Sequence, residues 1–262
     1  MSLAYEVRGS GSPVIVFLHG FGGFGGLWKW QVEYFEARTR VITVDLPGHG
    51  SSAWSGEGLS QMADEVRDIL DRENGAKVCL VGSSFGGLVA LALCDRISSR
   101  VSSLSLIGSP PCFVAREDFP AGLTTAAIRK LAGQITRSLP AALDMFVRSF
   151  STDDERKGPQ YAKVKELRRQ APLPKTGALL AFLDILETAD MRDALYGLKI
   201  PVQLIHGSAD YLCPVAAMDA VRGKMPGARF DGFEGKGHGL FLTIPDDVNR
   251  VLEEFVFHAS GT

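Results

Sequence analysis

The five residues Gly82-Ser83-Ser84-Phe85-Gly86 constrain the fold of this 262-residue chain more than any other part of the sequence. They follow an apolar run, Val78 to Val81, that is typical of a buried strand, and they precede an apolar stretch, Leu88 to Leu93, that is typical of a helix. A serine with glycine two residues away on each side, between a strand and a helix, predicts a sharp turn that presents one hydroxyl. Only Ser84 has these flanking glycines, and Ser83 does not. We therefore predict Ser84 as a nucleophile.

A histidine base and an orienting carboxylate are required by this prediction, because a serine hydroxyl is a weak nucleophile at neutral pH. Asp210 follows a strand-like segment, Val202 to His206, so it lies where open parallel sheets build their sites. His238 lies between glycines on a loop, ahead of a helix that the sequence predicts from Pro245. The chain order serine, aspartate, histidine predicts that Asp210 orients His238 and that His238 activates Ser84.

Other histidines and carboxylates have plainer interpretations. His19 and His206 lie at strand ends beside glycine, where an imidazole usually bonds to loop backbone. Asp45 closes a strand and is predicted to cap the following turn. Asp210 has the same capping alternative, but its position between the serine and the histidine favours the functional interpretation.

Two backbone N–H groups are candidates for the oxyanion hole that acyl transfer requires. Phe85, directly after the nucleophile, supplies one, and Phe21, in a glycine-rich loop after the strand Val14 to Leu18, supplies the other. That loop lacks the lysine of a P-loop, and no convincing ribose-binding acid follows, so we predict no nucleotide. The histidines and the four cysteines lack metal-ligand spacing, and we predict neither a metal nor another cofactor.

Composition and charge narrow the class of protein. A net charge of −2 argues against a nucleic-acid-binding surface. The first 13 residues contain no apolar signal segment, and no apolar run reaches the roughly 18 residues that a membrane span needs. The cysteines are scattered and are interpreted as reduced core thiols. We expect a cytoplasmic enzyme without membrane or nucleic-acid partners.

The alternation of strands and helices predicts the architecture. It runs through residues 1–109 and resumes over 191–262, which predicts an α/β fold with a mostly parallel central sheet and helices on both faces. Residues 110–190 show helical periodicity without strands, and prolines divide them into about four helices. An insertion at this point is expected to cover the strand ends as an all-helical lid, whose apolar face would wall a substrate pocket.

The predicted lid is basic although the chain is not. Between Arg129 and Arg169 stand ten Lys/Arg and five Asp/Glu, whereas the rest of the chain has 18 and 25. A solvated helix face would explain this charge, and so would a surface that docks an acidic partner transiently. For the second interpretation the candidate docking residues are Arg148, Arg156, Lys163, Arg168 and Arg169.

Together these residues resemble the α/β-hydrolase superfamily over nearly the whole chain. Two segments give a narrower likeness, since residues 109–120 (SPPCFVAREDFP) and 183–192 (LDILETADMR), at the two ends of the lid, are similar to the pimeloyl-[acyl-carrier protein] methyl ester esterases of biotin synthesis. In that family the serine, aspartate and histidine correspond to Ser84, Asp210 and His238, and the oxyanion donors to Phe21 and Phe85. Ser83 stands where the family usually carries tryptophan, which implies a wider pocket mouth.

The resemblance implies a carboxylester hydrolase that works through an acyl-enzyme. Its substrate would be a small ester or a methyl ester on an acyl chain borne by an acidic carrier protein, which would dock at the basic lid. General small-ester carboxylesterases and carbon–carbon bond hydrolases share the same arrangement of serine, aspartate and histidine. A ligand-sensing protein with slow turnover would share it too. The predicted pocket residues are Ser83, Phe113, Phe146 and Leu240.

The glycines that flank Ser84 lead to a test of which of the two adjacent serines is the nucleophile. Ser84→Ala should lower ester turnover by about 10³-fold or more with the fold intact, whereas Ser83→Ala should change it by less than about 10-fold. A serine-directed phosphonate, mapped by mass spectrometry, should label Ser84 alone. Labelling at Ser83, or undiminished turnover in Ser84→Ala, would contradict the assignment.

Overall fold

The computed structural model describes residues 3–73 and 77–260 and is built on one seven-stranded sheet. The spatial order of the strands is β1-β3-β2-β4-β5-β6-β7. The edge strand β1 is antiparallel to β3, and every other neighbouring pair is parallel. The strands are β1 Tyr5–Arg8, β2 Val14–Leu18, β3 Arg40–Val44, β4 Val78–Ser83, β5 Val101–Ile107, β6 Val202–Gly207 and β7 Arg229–Phe233.

Alternate residues of the central strands belong to two hydrophobic clusters, one on each face of the sheet. Val16 and Leu18 of β2 belong to one cluster, and Ile15 and Phe17 belong to the other. Because helices cover both faces, the central strands are apolar throughout, and every residue of β4 is buried. The predicted mostly parallel sheet with helices on both faces is confirmed.

Helices of the body and of the insertion follow one another along the chain. Their bounds are α1 Lys29–Phe35, α2 Leu59–Arg72, α3 Phe85–Arg96, α4 Thr125–Arg137, α5 Leu139–Ser149, α6 Asp153–Lys157, α7 Pro159–Gln170, α8 Thr176–Thr188, α9 Arg192–Tyr196, α10 Val215–Lys224, α11 Leu240–Thr243 and α12 Pro245–Ser260. Among the residues described, no helix combines the length and apolar character that crossing a membrane requires.

The insertion between β5 and β6 is helical, as expected, but residues 110–190 form five helices rather than about four, because the short α6 separates α5 from α7. Its two ends lie side by side and form what we call the neck. There Met191 N–H donates to the Pro111 carbonyl at 2.8 Å, and the backbones of Cys112 and Asp190 pair as an antiparallel β-bridge. Residues of the insertion such as Phe182 belong to the same hydrophobic cluster as the sheet. The insertion therefore shares the core of the body.

A pair of buried histidines lies beneath the helical insertion. His19 and His49 are fully buried, with ring centroids 5.2 Å apart, and the His49 ring stacks on Phe182 of α8. His19 accepts a hydrogen bond from Leu46 N–H and bonds to the Gly20 carbonyl, which matches the structural role predicted for it. Burial lowers the pKa of His19 to about 4. Burial, together with the neighbouring His19, lowers the pKa of His49 to about 3.

These depressed pKa values predict acid sensitivity. Unfolded histidine has a pKa of about 6.5, so below that pH the unfolded chain binds protons that the folded chain excludes, and stability is lost as pH falls. Each buried histidine should lower the free energy of unfolding by about 1.4 kcal/mol per pH unit between roughly pH 6 and its own folded pKa. Urea unfolding from pH 7 to 4.5 should show a shallower pH slope for His49→Gln than for the wild type. His258→Gln, at an exposed position, should leave the slope unchanged, and equal slopes for all three proteins would contradict the interpretation.

Candidate functional site

Ser84 occupies a strained turn between β4 and α3. Its φ of 51° and ψ of −121° make it the only residue besides glycine with a positive φ in the described part of the chain. Such backbone costs on the order of 1–3 kcal/mol and persists only where the surroundings enforce it. Here Ser84 N–H donates to the Ile107 carbonyl at 2.9 Å, and the Ser84 carbonyl accepts from Gly87 N–H and from the Ser109 hydroxyl. Neighbouring backbone therefore holds the turn from both sides.

Glycines flank this turn because the chain has no room for side chains there. A Cβ on Gly86 would lie 2.2 Å from the Leu18 carbonyl oxygen, and one on Gly82 would lie 2.6 Å from Gly87 Cα. The start of α3 therefore rests directly on the ends of its neighbouring strands. The sharp turn predicted from the flanking glycines is present at Ser84. The assignment of Ser84, rather than Ser83, as the nucleophile stays a prediction.

His238 and Asp210 are paired beside the end of β6. His238 Nδ1 lies 2.7 Å from Asp210 Oδ2, while the N–H groups of Leu212 and Cys213 donate to Asp210 Oδ1 at 2.9 and 2.8 Å. Burial alone would raise the pKa of the Asp210 carboxyl, but the charge of His238 and these hydrogen bonds hold that pKa below its usual value. The carboxylate therefore stays ionised and can fix the orientation of the imidazole.

The competing carboxylate and histidine have structural partners. Asp45 accepts hydrogen bonds from Gly25 N–H at 2.7 Å and Ser51 N–H at 2.8 Å, which is the capping role predicted for it. His206 bonds to the Cys213 carbonyl at 2.8 Å, so it supports the turn that carries Asp210.

The predicted oxyanion donors lie next to the nucleophile turn. Phe85 is the first residue of α3, where the helix provides no partner for its N–H. Phe21 N–H donates to no backbone carbonyl among the described residues. A Cβ on Gly20 would lie 3.0 Å from the Ser84 Cβ, so the Phe21 loop runs directly against the turn. Phe21 lines the small cavity at Ser84, and Phe85 directly follows Ser84 in the chain. The oxyanion role of their N–H groups stays a prediction.

One small cavity is lined by several of the predicted site residues. Ser84, His238 and Phe21 all line it, and Ser84 is 8% exposed. A larger cavity of about 330 Å³ opens from Ser84 and His238 under the helical insertion, and its walls are mainly apolar. Its walls include Leu123, Ile128, Leu131, Leu183 and Leu186, and its rim includes Lys130, Met145 and Tyr211. The arrangement suits an apolar chain with a reactive end at Ser84.

Three of the four predicted pocket residues line these cavities. Ser83 borders the small one, Phe113 the large one and Phe146 both. Leu240 does not, because α11 begins there and turns its side chain into the core, where it is fully buried. The wall position next to His238 is taken instead by Phe241, with Leu242 beyond it.

Of the predicted docking cations, Arg148, Lys163 and Arg169 are exposed. Arg169 pairs with Glu166 at 2.8 Å within α7. Arg156 is less available, because its guanidinium donates to lid carbonyls and to a neighbouring aspartate, and its side chain is only 22% exposed.

Arg168 was predicted as a docking residue, but its charged group does not lie on the surface. Its Nη1 and Nη2 atoms are buried without a hydrogen-bond partner in the part of the chain that the structure describes, and burial lowers the pKa of its guanidinium. The group lies over the Phe24 ring at 5.7 Å, because this face of α7 packs toward the glycine-rich loop. A test of docking therefore has to use other lid cations.

The side chains of Asp210, Cys213 and His238 offer ligand atoms within 4.8 Å of one another. Burial raises the pKa of the Cys213 thiol well above its usual value, and a metal ligand must be the thiolate. Asp210 and His238 already bond to each other. This group of residues therefore suits a hydrogen-bonded pair better than a metal.

Glu155 and Phe150 were not predicted to belong to the site. Gly237 N–H donates to Glu155 Oε2 at 3.0 Å, and Gly239 N–H donates to the Phe150 carbonyl at 2.9 Å. The glycines beside His238 therefore allow the backbone to lie close to the insertion. The T-x-x-E pattern of residues 152–155 was a signal for a helix start, but it carries no information about this tertiary contact.

Comparisons with known proteins agree over nearly the full length. Residues 15–251 match the model of the alpha/beta hydrolase family. The pimeloyl-[acyl-carrier protein] methyl ester esterase of Nitrosomonas europaea is 35% identical over 94% of this chain and 96% of its own. The enzyme of that name from Aeromonas hydrophila is 32% identical over 98% of this chain and all of its own. An esterase structure from Exiguobacterium antarcticum superposes with a TM-score of 0.87 at 26% identity, covering 97% of this chain and 95% of that one.

The pairing of Asp210 with His238 predicts a graded loss of activity. His238→Ala should lower ester turnover as far as Ser84→Ala does, because no base then takes the hydroxyl proton. Asp210→Asn should cost less, since the imidazole remains but is misoriented. Turnover of p-nitrophenyl butyrate would measure both. Asp45→Asn is the matched control, and a silent change at position 210 would show that another carboxylate orients the base.

Proposed function

The chain belongs to the alpha/beta hydrolase family and is an esterase, and from that premise we propose that it hydrolyses the methyl ester of a pimeloyl group carried on acyl-carrier protein. The observation that carries the proposal is the shared cavity: Ser84 and His238 line it together, and Asp210 bonds to the imidazole from behind. Two relatives above 30% identity that bear this name match along nearly the whole chain.

In the proposed mechanism, His238 takes the proton of the Ser84 hydroxyl as the serine oxygen attacks the ester carbon. The N–H groups of Phe21 and Phe85 would stabilise the negative oxygen of the tetrahedral intermediate. The intermediate collapses, His238 returns the proton to the departing methoxide, and methanol leaves an acyl-serine. Water, deprotonated by His238, then releases the carboxylate and restores the serine. Asp210 stays ionised throughout and stabilises the imidazolium.

The large cavity supports an apolar acyl chain as the substrate. Its leucine and isoleucine walls would bury methylenes, each worth about 0.8 kcal/mol. Its rim is open to solvent, since Met145 is 57% and Tyr211 78% exposed. A carrier protein outside the rim could therefore hold the far end of a chain whose methyl ester reaches Ser84.

We propose that residues 110–190 act as the lid over this cavity. Their closed neck at Pro111 and Met191 and their share of the cavity walls support these boundaries. Several exposed lid cations, including Lys130 on the rim and Arg148 on α5, have no ion-pair partner among the residues described. They suit transient contact with an acidic carrier protein. The cytoplasmic location expected from the sequence stays a prediction.

A general small-ester carboxylesterase is the second candidate, favoured by the likeness to the Exiguobacterium antarcticum esterase. Complementation distinguishes the two. A biotin auxotroph that lacks its methyl esterase should grow with this gene and not with the Ser84→Ala variant. Failure of the wild type to complement, alongside turnover of p-nitrophenyl butyrate, would favour the second candidate.

Carrier docking predicts unequal salt dependence. Turnover of the carrier-bound methyl ester should fall steeply with added salt, while turnover of p-nitrophenyl butyrate should barely change, because screening acts on the encounter of two charged surfaces. Lys130→Glu/Arg148→Glu should reproduce that difference at low salt. The matched control is Lys199→Glu/Lys224→Glu, which makes the same charge change at exposed positions of the body. Equal salt responses for both substrates would leave the basic lid without a docking role.

A further inference from the structure

The segment that carries His238 is held by the lid as well as by the sheet. One carboxylate, that of Glu155 in α6, accepts a hydrogen bond from Gly237 N–H at 3.0 Å and another from the Thr243 hydroxyl at 2.7 Å. These two donors bracket His238 in the chain. The Phe150 carbonyl, also in the insertion, accepts the Gly239 N–H between them at 2.9 Å.

The segment is tightly packed on both sides. On the lid side, a Cβ on Gly237 would lie 2.6 Å from the Phe150 carbonyl oxygen and 3.1 Å from Glu155 Oε2. On the sheet side, a Cβ on Gly207, the last residue of β6, would lie 2.3 Å from the Lys236 carbonyl oxygen. The backbone just before His238 is thus pressed between β6 and the lid, and the lid supplies one of the two walls.

Glu155 suits this role chemically. Its Oε2 also accepts the Thr152 N–H at 2.8 Å, as the second half of the capping box at the start of α6. Hydrogen bonds to an ionised carboxylate are roughly twice as strong as neutral ones. Removal of the side chain would leave Gly237 N–H without its partner in a segment that has no room to rearrange. The capping box alone would not require contacts to Gly237 and Thr243, which lie more than 80 positions along the chain.

We propose that Glu155 is a positioning residue for His238, which couples closure of the lid to assembly of the base. With the lid in place, the carboxylate fixes the segment and the imidazole faces the cavity shared with Ser84. Any movement of α6 away from the body would break both hydrogen bonds and release the segment. The inference rests on the proposed function, since it assigns His238 the role of base.

Three variants separate positioning from simple stability. Glu155→Ala removes both the cap and the contacts to the His238 segment. Thr152→Ala weakens the same cap, at a cost of about 1 kcal/mol, and keeps the carboxylate. Glu155→Gln keeps the shape and one acceptor oxygen, so it should rescue part of the loss. The measurements are kcat and KM for p-nitrophenyl butyrate, thermal unfolding, and hydrogen exchange at the Gly237 amide.

Glu155→Ala should lower kcat by about 10²-fold with KM changed by less than about threefold, because a displaced base slows chemistry more than binding. Thr152→Ala should show part of the loss of thermal stability that Glu155→Ala shows, while its kcat stays within about threefold of the wild type. Exchange at Gly237 should accelerate in Glu155→Ala only. Glu155→Ala/His238→Ala should be no slower than His238→Ala alone, since both changes disable one group.

Equal kcat losses in Glu155→Ala and Thr152→Ala, or unchanged exchange at Gly237 in Glu155→Ala, would overturn the proposal. A wild-type protein that hydrolyses no ester would instead contradict the proposed function. The exchange rates would still decide whether Glu155 holds the segment.

Discussion

The site depends on the close approach of main chain to main chain beneath Ser84. The start of α3 rests on the end of β2, with Gly86 so near the Leu18 carbonyl that no side chain fits between them. This contact supports a backbone conformation at Ser84 that would be unfavourable in isolation. It also brings the glycine-rich loop after β2, which carries Phe21, beside the helix that carries Phe85. One steric constraint thus brings together Ser84, the proposed nucleophile, and Phe21 and Phe85, whose N–H groups are the proposed oxyanion donors.

The proposed base is supported differently. Asp210 has a rigid setting, because two N–H groups of its own turn bind the oxygen that His238 does not use. Among the residues that the structure describes, no N–H group of its own turn binds the His238 ring, and His238 lies on a segment held between β6 and the insertion. Ser84 is therefore positioned by the sheet, while the His238 imidazole is positioned jointly by the sheet and the insertion. Ser84 and His238 line the same small cavity, so the proposed nucleophile and the proposed base depend on both supports.

Local signals made much of this predictable from the sequence. Strand periodicity predicted the sheet, and the glycine frame predicted the turn at Ser84, because both depend on residues adjacent in the chain. The pairing of Asp210 with His238 followed from chain order. Leu240 was misplaced because the direction of a side chain depends on where a short helix begins, which the sequence does not specify sharply. Arg168 was assigned to the surface because its charge suggested exposure, whereas the packing of α7 buries its guanidinium. Glu155 was missed because its partners come from a distant part of the chain.

The helices of the lid contribute unequally to the hydrophobic core. Helix α8 places Leu179 and Phe182 fully within the cluster shared with the sheet, and the Phe182 ring stacks on Phe85 at 3.9 Å. Helices α4 and α5 pack mainly on each other and, through α4, on α8, and they carry the exposed Met145 at the cavity rim. Substitutions in α8 would disturb the core and the turn at Ser84 at once, whereas exposed positions of α4 and α5, such as Met145, can vary with little cost to folding. Differences in the shape of this cavity between related proteins are therefore expected mainly at the exposed positions of α4 and α5, and less in the wall that α8 supplies.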